Sequence, residues 1–361
     1  MSDWLAARNI LAVRLDNTGD VVLLGPALRA VKQTLPQARL TLLASPAGAT
    51  AAPLLPWIDD VIVWRAIWQD VGGKMPFDPG RERELIAELS RRQFDAALIF
   101  TSFSQTPHVP GFVCYLAGIP LRAGESKEFG GSTLTVELRS GPDELHQAER
   151  NLRLVEQLGF TVRDRRLAMR IPEEARHAVC GLMALAGLDS ARPFVLLHPG
   201  ASCQARRFPA ERLREVAAQL GRTGWQVLVT GSAREAGLVE LVASAGVPGI
   251  GALAGRTSLT ELAALVERAT LVICGNTLPL HLADAAGTPV LGLYSGTDYE
   301  EQWRPRFTRY RLLRRPTPCS PCYRFDCPFG QPCLDYPPDE IVEAALSLLA
   351  CSESAVERKG A

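Results

Sequence analysis

Four stretches place polar residues where an apolar run gives way to a helical pattern, and each offers a chemistry. The first is Leu15-Asp16-Asn17-Thr18-Gly19-Asp20-Val21-Val22. Gly19 permits a tight backbone path. Asp20 falls at the start of the following helix, where the dipole favours a negative charge by about 0.3–1 kcal/mol. Asp20 is either an acidic first-turn residue that helps the helix begin or a carboxylate presented as a general base. The second stretch runs from His198-Pro199-Gly200-Ala201 through Ser202 to Arg206-Arg207-Phe208-Pro209. Arginines ahead of a helix suit an anionic ligand, because a guanidinium forks two phosphate oxygens; the alternative is a solvated pair. Pro209 suits the first helical position. In the third stretch, Thr230-Gly231-Ser232-Ala233-Arg234-Glu235, Glu235 is placed to accept ribose hydroxyls or simply to favour the helix dipole.

The fourth stretch is Cys274-Gly275-Asn276-Thr277, followed by a helical pattern carrying His281 and closed by Gly287-Thr288-Pro289. Asn276 and Thr277 can cap that helix and leave backbone N–H groups free. By geometry this is an anion site, fit for a diphosphate. His281 lies four residues past Thr277, on the same helix face; a lone histidine is otherwise a satisfied core residue. Ser295 to Asp298, which includes Thr297, add hydroxyls at the end of the next strand.

The elements that must position these residues alternate along the chain. Ile10–Leu15 reads as a buried strand, Asp16–Asp20 as a turn, Val21–Leu35 as a helix starting in earnest at Pro26, and Ala38–Ser45 as a second strand. That is a βαβ unit of a parallel sheet. Strands follow at 59–64 and 94–100, and helices at 80–93 and 146–160, the latter ended by Gly159. The pattern restarts at Phe194 with four further strands, at 193–201, 225–232, 270–276 and 288–295, and helices between them. The expectation is an α/β protein: two Rossmann-like, doubly wound parallel-sheet domains facing across a cleft, with ligands at the carboxyl ends of the strands. The first domain is expected over 1–175 and the second over 176–337. An amphipathic helix over 338–352 is expected to pack back on the first, with the last few residues frayed.

Bulk properties narrow the class. In 361 residues, basic and acidic side chains number 39 each, which disfavours a nucleic-acid partner. The N-terminus lacks a secretory pattern, and no apolar run approaches the ~18 residues of a spanning helix, so a cytoplasmic location is expected. Of nine cysteines, Cys114, Cys180, Cys203, Cys274 and Cys351 are scattered. Cys319, Cys322, Cys327 and Cys333 have the spacing C-x2-C-x4-C-x5-C, which raises a structural zinc or iron–sulfur site beside reduced packing cysteines or a disulfide. Six arginines lie between 304 and 315. They read as a solvated strand face, or as a patch drawn to an anionic acceptor or to the inner membrane as a peripheral contact.

Taken together and in order, Arg14–Lys32, His198–Pro209, Gly231–Gly237 and Leu278–Asp298 with Trp303 resemble the heptosyltransferases of glycosyltransferase family 9, over about residues 9 to 350. The resemblance implies the GT-B fold, with an acceptor-binding N-terminal domain and a nucleotide-sugar-binding C-terminal one. It implies inverting, metal-independent transfer of heptose from ADP-heptose to the lipopolysaccharide inner core. By position, Asp20 matches the family's general base, and Arg206 takes the place of a lysine on the donor phosphate. Glu235 matches the acid near the ribose. Thr277 and His281 match the Thr and His around the diphosphate, with Ser202, Gly231, Asn276 and Thr297 completing the donor set. The family's Asp-Thr-Gly is here Asn276-Thr277-Leu278, which keeps a cap but removes a charge and a backbone approach. Two alternatives are a same-fold transferase with another nucleotide-sugar or a capsular or secondary-metabolite acceptor, and a non-catalytic nucleotide-sugar binder.

Overall fold

Runs such as Ile10–Val13 and Val195–Leu197 are buried on both faces, at 1% exposure or less. Strands like these belong inside a parallel sheet whose two faces are both covered by helices. The computed structural model describes residues 2–70 and 72–357, with side chains described to residue 350. Cys351 and the expected fraying at the C-terminus lie outside the described side chains.

Residues 1–170 form one unit and 171–361 the other. The first holds β1 (Asn9–Arg14), β2 (Arg39–Ala44), β3 (Asp60–Val63), β4 (Ala96–Ile99), β5 (Leu121–Ser126) and β6 (Val136–Arg139). All pair in parallel, in the order β3-β2-β1-β4-β5-β6. The second holds β7 (Phe194–His198), β8 (Gln226–Gly231), β9 (Ile250–Ala254), β10 (Leu271–Gly275), β11 (Val290–Leu293) and β12 (Tyr310–Leu313). Their order is β12-β11-β10-β7-β8-β9. Each sheet therefore runs out from its first strand, then crosses to that strand's other side. The reversal falls between β1 and β4 in one unit and between β7 and β10 in the other, where a doubly wound sheet opens a crevice for ligand.

Four details differ from the sequence reading. The helix after β1 is two helices, Thr18–Val22 and Gly25–Thr34, with Pro26 in the first turn of the second. Proline lacks the N–H that a continuous helix would need there. Pro209 stands just ahead of helix Ala210–Arg222 rather than at its first position. The helix at 338–352 belongs to the second unit and not the first. Within Pro338–Glu357, Ile341, Val342, Ala344, Ala345 and Leu349 join the core around Leu213, Val216 and Leu220. The chain divides at Arg170/Ile171 rather than at 175/176. Helix Glu173–Leu185 buries Ala175, Val179 and Met183, and Arg176 pairs with Glu267 at 2.8 Å, both within the second unit.

Candidate functional site

In the first unit the sequence Arg14-Leu15-Asp16 leaves β1 at the crevice. Leu15 turns into the core, and the charged residues on either side of it stay at the strand end. The Arg14 guanidinium is fully buried, with side-chain exposure of 0%, against 9% for Asp16 and 14% for Asp20. Its Nη2 donates to Asp20 Oδ1 at 3.0 Å and to Ser102 Oγ at 2.9 Å. Its Nε stands 2.9 Å from Asp16 Oδ2, an ion pair without the angle of a hydrogen bond. Gln105 Nε2 donates to Asp16 Oδ1 at 2.5 Å. Burial pushes the Asp16 carboxyl above the usual carboxylate range; Arg14 and the Gln105 hydrogen bond oppose that shift and Asp20 adds to it.

Asp20 also caps its helix, its Oδ2 accepting the Asn17 N–H at 3.2 Å. One Asp20 oxygen thus serves the cap and the other faces Arg14. A shallow polar recess lined by Ser102, Phe103, Gln105, Glu125, Ser140 and Arg150 adjoins the group. Sequence reasoning passed over Arg14, Asp16, Ser102 and Gln105. An arginine closing an otherwise apolar strand was the available signal for the first of these.

In the second unit the expected donor residues gather at the ends of β7, β8, β10 and β11. Arg206 lies in a short 3-10 turn, Gln204–Arg206, after β7. Its Nε donates to Thr297 Oγ1 at 3.0 Å and its Nη2 to Asp298 Oδ2 at 2.6 Å, so the fork is seated on the β11 loop. Thr297 in turn donates to Asp298 at 2.6 Å and lies 3.1 Å from Ser295 Oγ. At the end of β10 the bare Gly275 lets the Arg206 turn come close. A Cβ there would stand 3.2 Å from the Arg206 carbonyl oxygen.

Thr277 is the N-cap of helix Leu278–Ala286, which Gly287 closes in the left-handed conformation. The Thr277 side chain makes no capping bond, and its buried Oγ1 has no hydrogen-bond partner. In the first turn Pro279 has no N–H and the Leu280 N–H donates to Thr277 O at 3.0 Å, so the Leu278 N–H is the one left for a ligand. Asn276 is buried beside it. His281 is buried on the same helix, 6.4 Å from the Trp303 ring. Burial pushes its pKa down to about 4, against the pull of Asp284, so it is neutral at neutral pH. Asp284 itself holds the backbone N–H groups of Arg306, Phe307 and Thr308.

Glu235 forms a capping box with Ser232, accepting its N–H at 2.9 Å and its Oγ–H at 2.7 Å. The remaining carboxylate oxygen leans over Gly200, where a Cβ would overlap it. The half-buried His198 alongside has its pKa lowered by desolvation, with Glu235 opposing. Gly200→Ala is expected to push Glu235 aside; on the expectation that Glu235 holds a ribose, nucleotide binding weakens about tenfold, roughly the worth of one hydrogen bond. Calorimetric titration of the variant with nucleotide checks it. Ser202, by contrast, is exposed and has no recorded bond to this group.

The four clustered cysteines lie in a loop lashed to these donor loops. Cys322 N–H donates to Gly296 O at 3.0 Å and Tyr323 N–H to Thr297 O at 2.9 Å. The Ala205 N–H donates to Phe325 O at 2.9 Å. Gln331 Nε2 reaches the Gln204 and Arg207 carbonyls. The loop is stretched over two anchors, with Cys319 exposed and Cys333 buried. Among the described residues no three His, Cys, Asp or Glu side chains are gathered to hold a metal ion. In the arginine run, Arg314 pairs with Glu300 and Arg315 with Glu340; Arg304, Arg309 and Arg311 are exposed to solvent. Among the described residues no helix is long and apolar enough to cross a membrane.

The chain matches a known family and several known proteins. The profile of glycosyltransferase family 9 (heptosyltransferase) matches residues 83–332. Lipopolysaccharide heptosyltransferase 2 of Escherichia coli K12 is 26% identical over 96% of this chain and 99% of its own. Lipopolysaccharide heptosyltransferase 3 of the same strain is 31% identical over 44% of this chain and 46% of its own length. The solved structure of the E. coli ADP-heptose lipopolysaccharide heptosyltransferase II superposes with a TM-score of 0.75. It is 22% identical and covers 96% of this chain and 99% of its own.

Proposed function

Because this chain belongs to glycosyltransferase family 9, we propose that it is an inverting, metal-independent enzyme that moves heptose from ADP-heptose to the lipopolysaccharide inner core. That it is a glycosyltransferase, with the two Rossmann-like domains of the GT-B class, follows from the family and from the two sheets. The donor and acceptor are the proposal. They are supported by relatives whose names carry lipopolysaccharide and, for one solved structure, ADP-heptose.

The observation that supports the reading is a polar corner whose groups suit a diphosphate. Arg206 is fixed in a two-armed grip beside a helix start whose cap hydroxyl, Thr277 Oγ1, is buried and unpartnered. In the proposed reaction Asp20 accepts the proton of an acceptor hydroxyl as that oxygen attacks the anomeric carbon. The bond from that carbon to the diphosphate oxygen breaks, and the nucleoside diphosphate leaves. Arg206 and the Leu278 N–H, at the positive end of helix Leu278–Ala286, stabilise the negative charge that gathers on the leaving group, which removes the need for a divalent cation there. Neutral His281 contributes a hydrogen bond and no charge. Glu235 and Gly231 line the ribose end. The recess at Ser102, Phe103 and Gln105 is the acceptor side, and the exposed Arg304, Arg309 and Arg311 are the residues proposed to meet anionic lipid.

One observation favours a second reading with a different donor. Asn276 and Leu278 stand where a carboxylate and a glycine would otherwise be, so charge and backbone access differ at the phosphate seat itself. Assay of ADP-, GDP- and UDP-linked sugars for transfer and donor hydrolysis decides between them. ADP-heptose is expected to be consumed at least tenfold faster than the others, a difference of about 1.4 kcal/mol in transition-state binding. Preference for another nucleotide-sugar would replace the donor. Binding without turnover of any of them would make the protein a nucleotide-sugar binder.

A further inference from the structure

The group at the end of β1 holds one guanidinium and two carboxylates. With all three ionised it carries a surplus negative charge in a place where Arg14 is 0% and Asp16 only 9% exposed. Uncompensated buried charge destabilises a fold, and a neutral isostere of either acid would remove the surplus. Only one of the two acids is needed to pair Arg14, and Asp20 already does so while capping its helix. Asp16 is nevertheless held by dedicated partners. Gln105 donates to its carboxylate, and Ser45 Oγ donates to its backbone carbonyl at 2.6 Å.

We infer that Asp16 is a positioning residue for the transfer reaction, kept so that Arg14 is shared between two carboxylates and Asp20 retains a negative charge free to take a proton. This rests on the reading of Asp20 as the base. Without Asp16 the full positive charge of Arg14 faces Asp20, which makes it a weaker proton acceptor. The groups facing Asp16 are Arg14 from β1, Asp20 from the following helix, and the neutral Gln105 from the loop after β4, with Ser102 on the far side of Arg14.

Two consequences separate this from a packing role. Protonation of Asp16 at low pH should mimic its removal, so the acid limb of the wild-type rate reports Asp16 as well as the base. The folded-state pKa of Asp16 is raised, so its ionised form costs stability at all pH values above that pKa. A neutral isostere should therefore leave the fold as stable at neutral pH, or more so, while activity falls.

The experiment compares the purified full chain with Asp16→Asn, Asp16→Glu and Asp20→Asn, measuring kcat across pH, donor Kd and Tm. For Asp16→Asn the expected result is a kcat about 10–100-fold lower, part of a general-base contribution of about 10²–10⁴. Its acid limb should be flattened, with donor Kd unchanged and Tm equal or higher, and Asp16→Glu should recover activity in part. Wild-type kcat in Asp16→Asn overturns the inference, as does a loss of kcat in step with Tm. Turnover surviving in Asp20→Asn removes the base reading itself, whatever Asp16→Asn does.

Discussion

Asp20→Asn is expected to lower kcat by about 10²–10⁴-fold, the usual share of a general base, with donor affinity unchanged. The substitution removes the proton acceptor and the Arg14 bond to Oδ1, since an amide has one oxygen for the two donors that Asp20 holds, but it keeps the helix cap. An amide oxygen can still accept the Asn17 N–H that Asp20 Oδ2 holds at 3.2 Å. Arg14 keeps a carboxylate partner in Asp16 at 2.9 Å, so no buried guanidinium is stranded. Alanine would be a poorer probe, since losing the cap costs ~1 kcal/mol in addition. Steady-state turnover with calorimetric donor binding is the measurement. A kcat near wild type would show Asp20 to be a helix cap and nothing more.

Arg206→Ala should cost about 10²–10³-fold in kcat/KM, the scale for losing one preorganised donor of about 2.7–4 kcal/mol at a centre of developing charge. Here the loss should fall on donor KM as well as kcat, because the same side chain is proposed to hold the diphosphate before and during departure. The variant also leaves the buried Asp298 without its 2.6 Å ion pair, so Tm is expected to drop. Arg206→Lys separates the two effects. Lysine can keep a charge near Asp298 but cannot also repeat the 3.0 Å bond from Nε to Thr297. It should restore Tm and recover activity only in part. Equal kinetics in Arg206→Lys and wild type would mean that charge alone matters there, and equal kinetics in Arg206→Ala would take the arginine out of the reaction.

The family, the doubly wound class and most elements that hold the site were legible in the sequence. The central strands are apolar throughout, and the turns after β1, β7, β8 and β10 carry Gly, Asn, Ser and Thr at their ends. Strands β5, β6 and β9 were not read. β6 and β9 are sheet edges, with alternate residues only half-buried. β5 carries the buried Arg122, whose guanidinium donates to the Ile119, Pro120, Ser132 and Thr133 carbonyls. A charged residue satisfied by backbone carbonyls 2 to 11 positions away has no apolar signature. The spacing of the cysteines was legible too, but the use of their loop was not. Its role in bracing Gly296–Thr297 and Gln204–Arg207 depends on backbone bonds between segments over 100 residues apart in one case.

By itself the sequence determined that Asp20 and Thr277 stand at helix starts and that Arg206 and Glu235 follow strand ends, because turn chemistry and periodicity are local properties. Which charges meet was decided only by the tertiary structure. Parallel pairing of β1 with β4 carries Gln105 to Asp16 and Ser102 to Arg14 across 89 and 88 positions. Pairing of β7 with β10, and of β10 with β11, carries Arg206 to Asp298 across 92. Coulomb energy depends on separation and burial, and neither is written in the order of residues along the chain. Asp20 could be read as an acid, but not as an acid sharing a buried arginine with a second one.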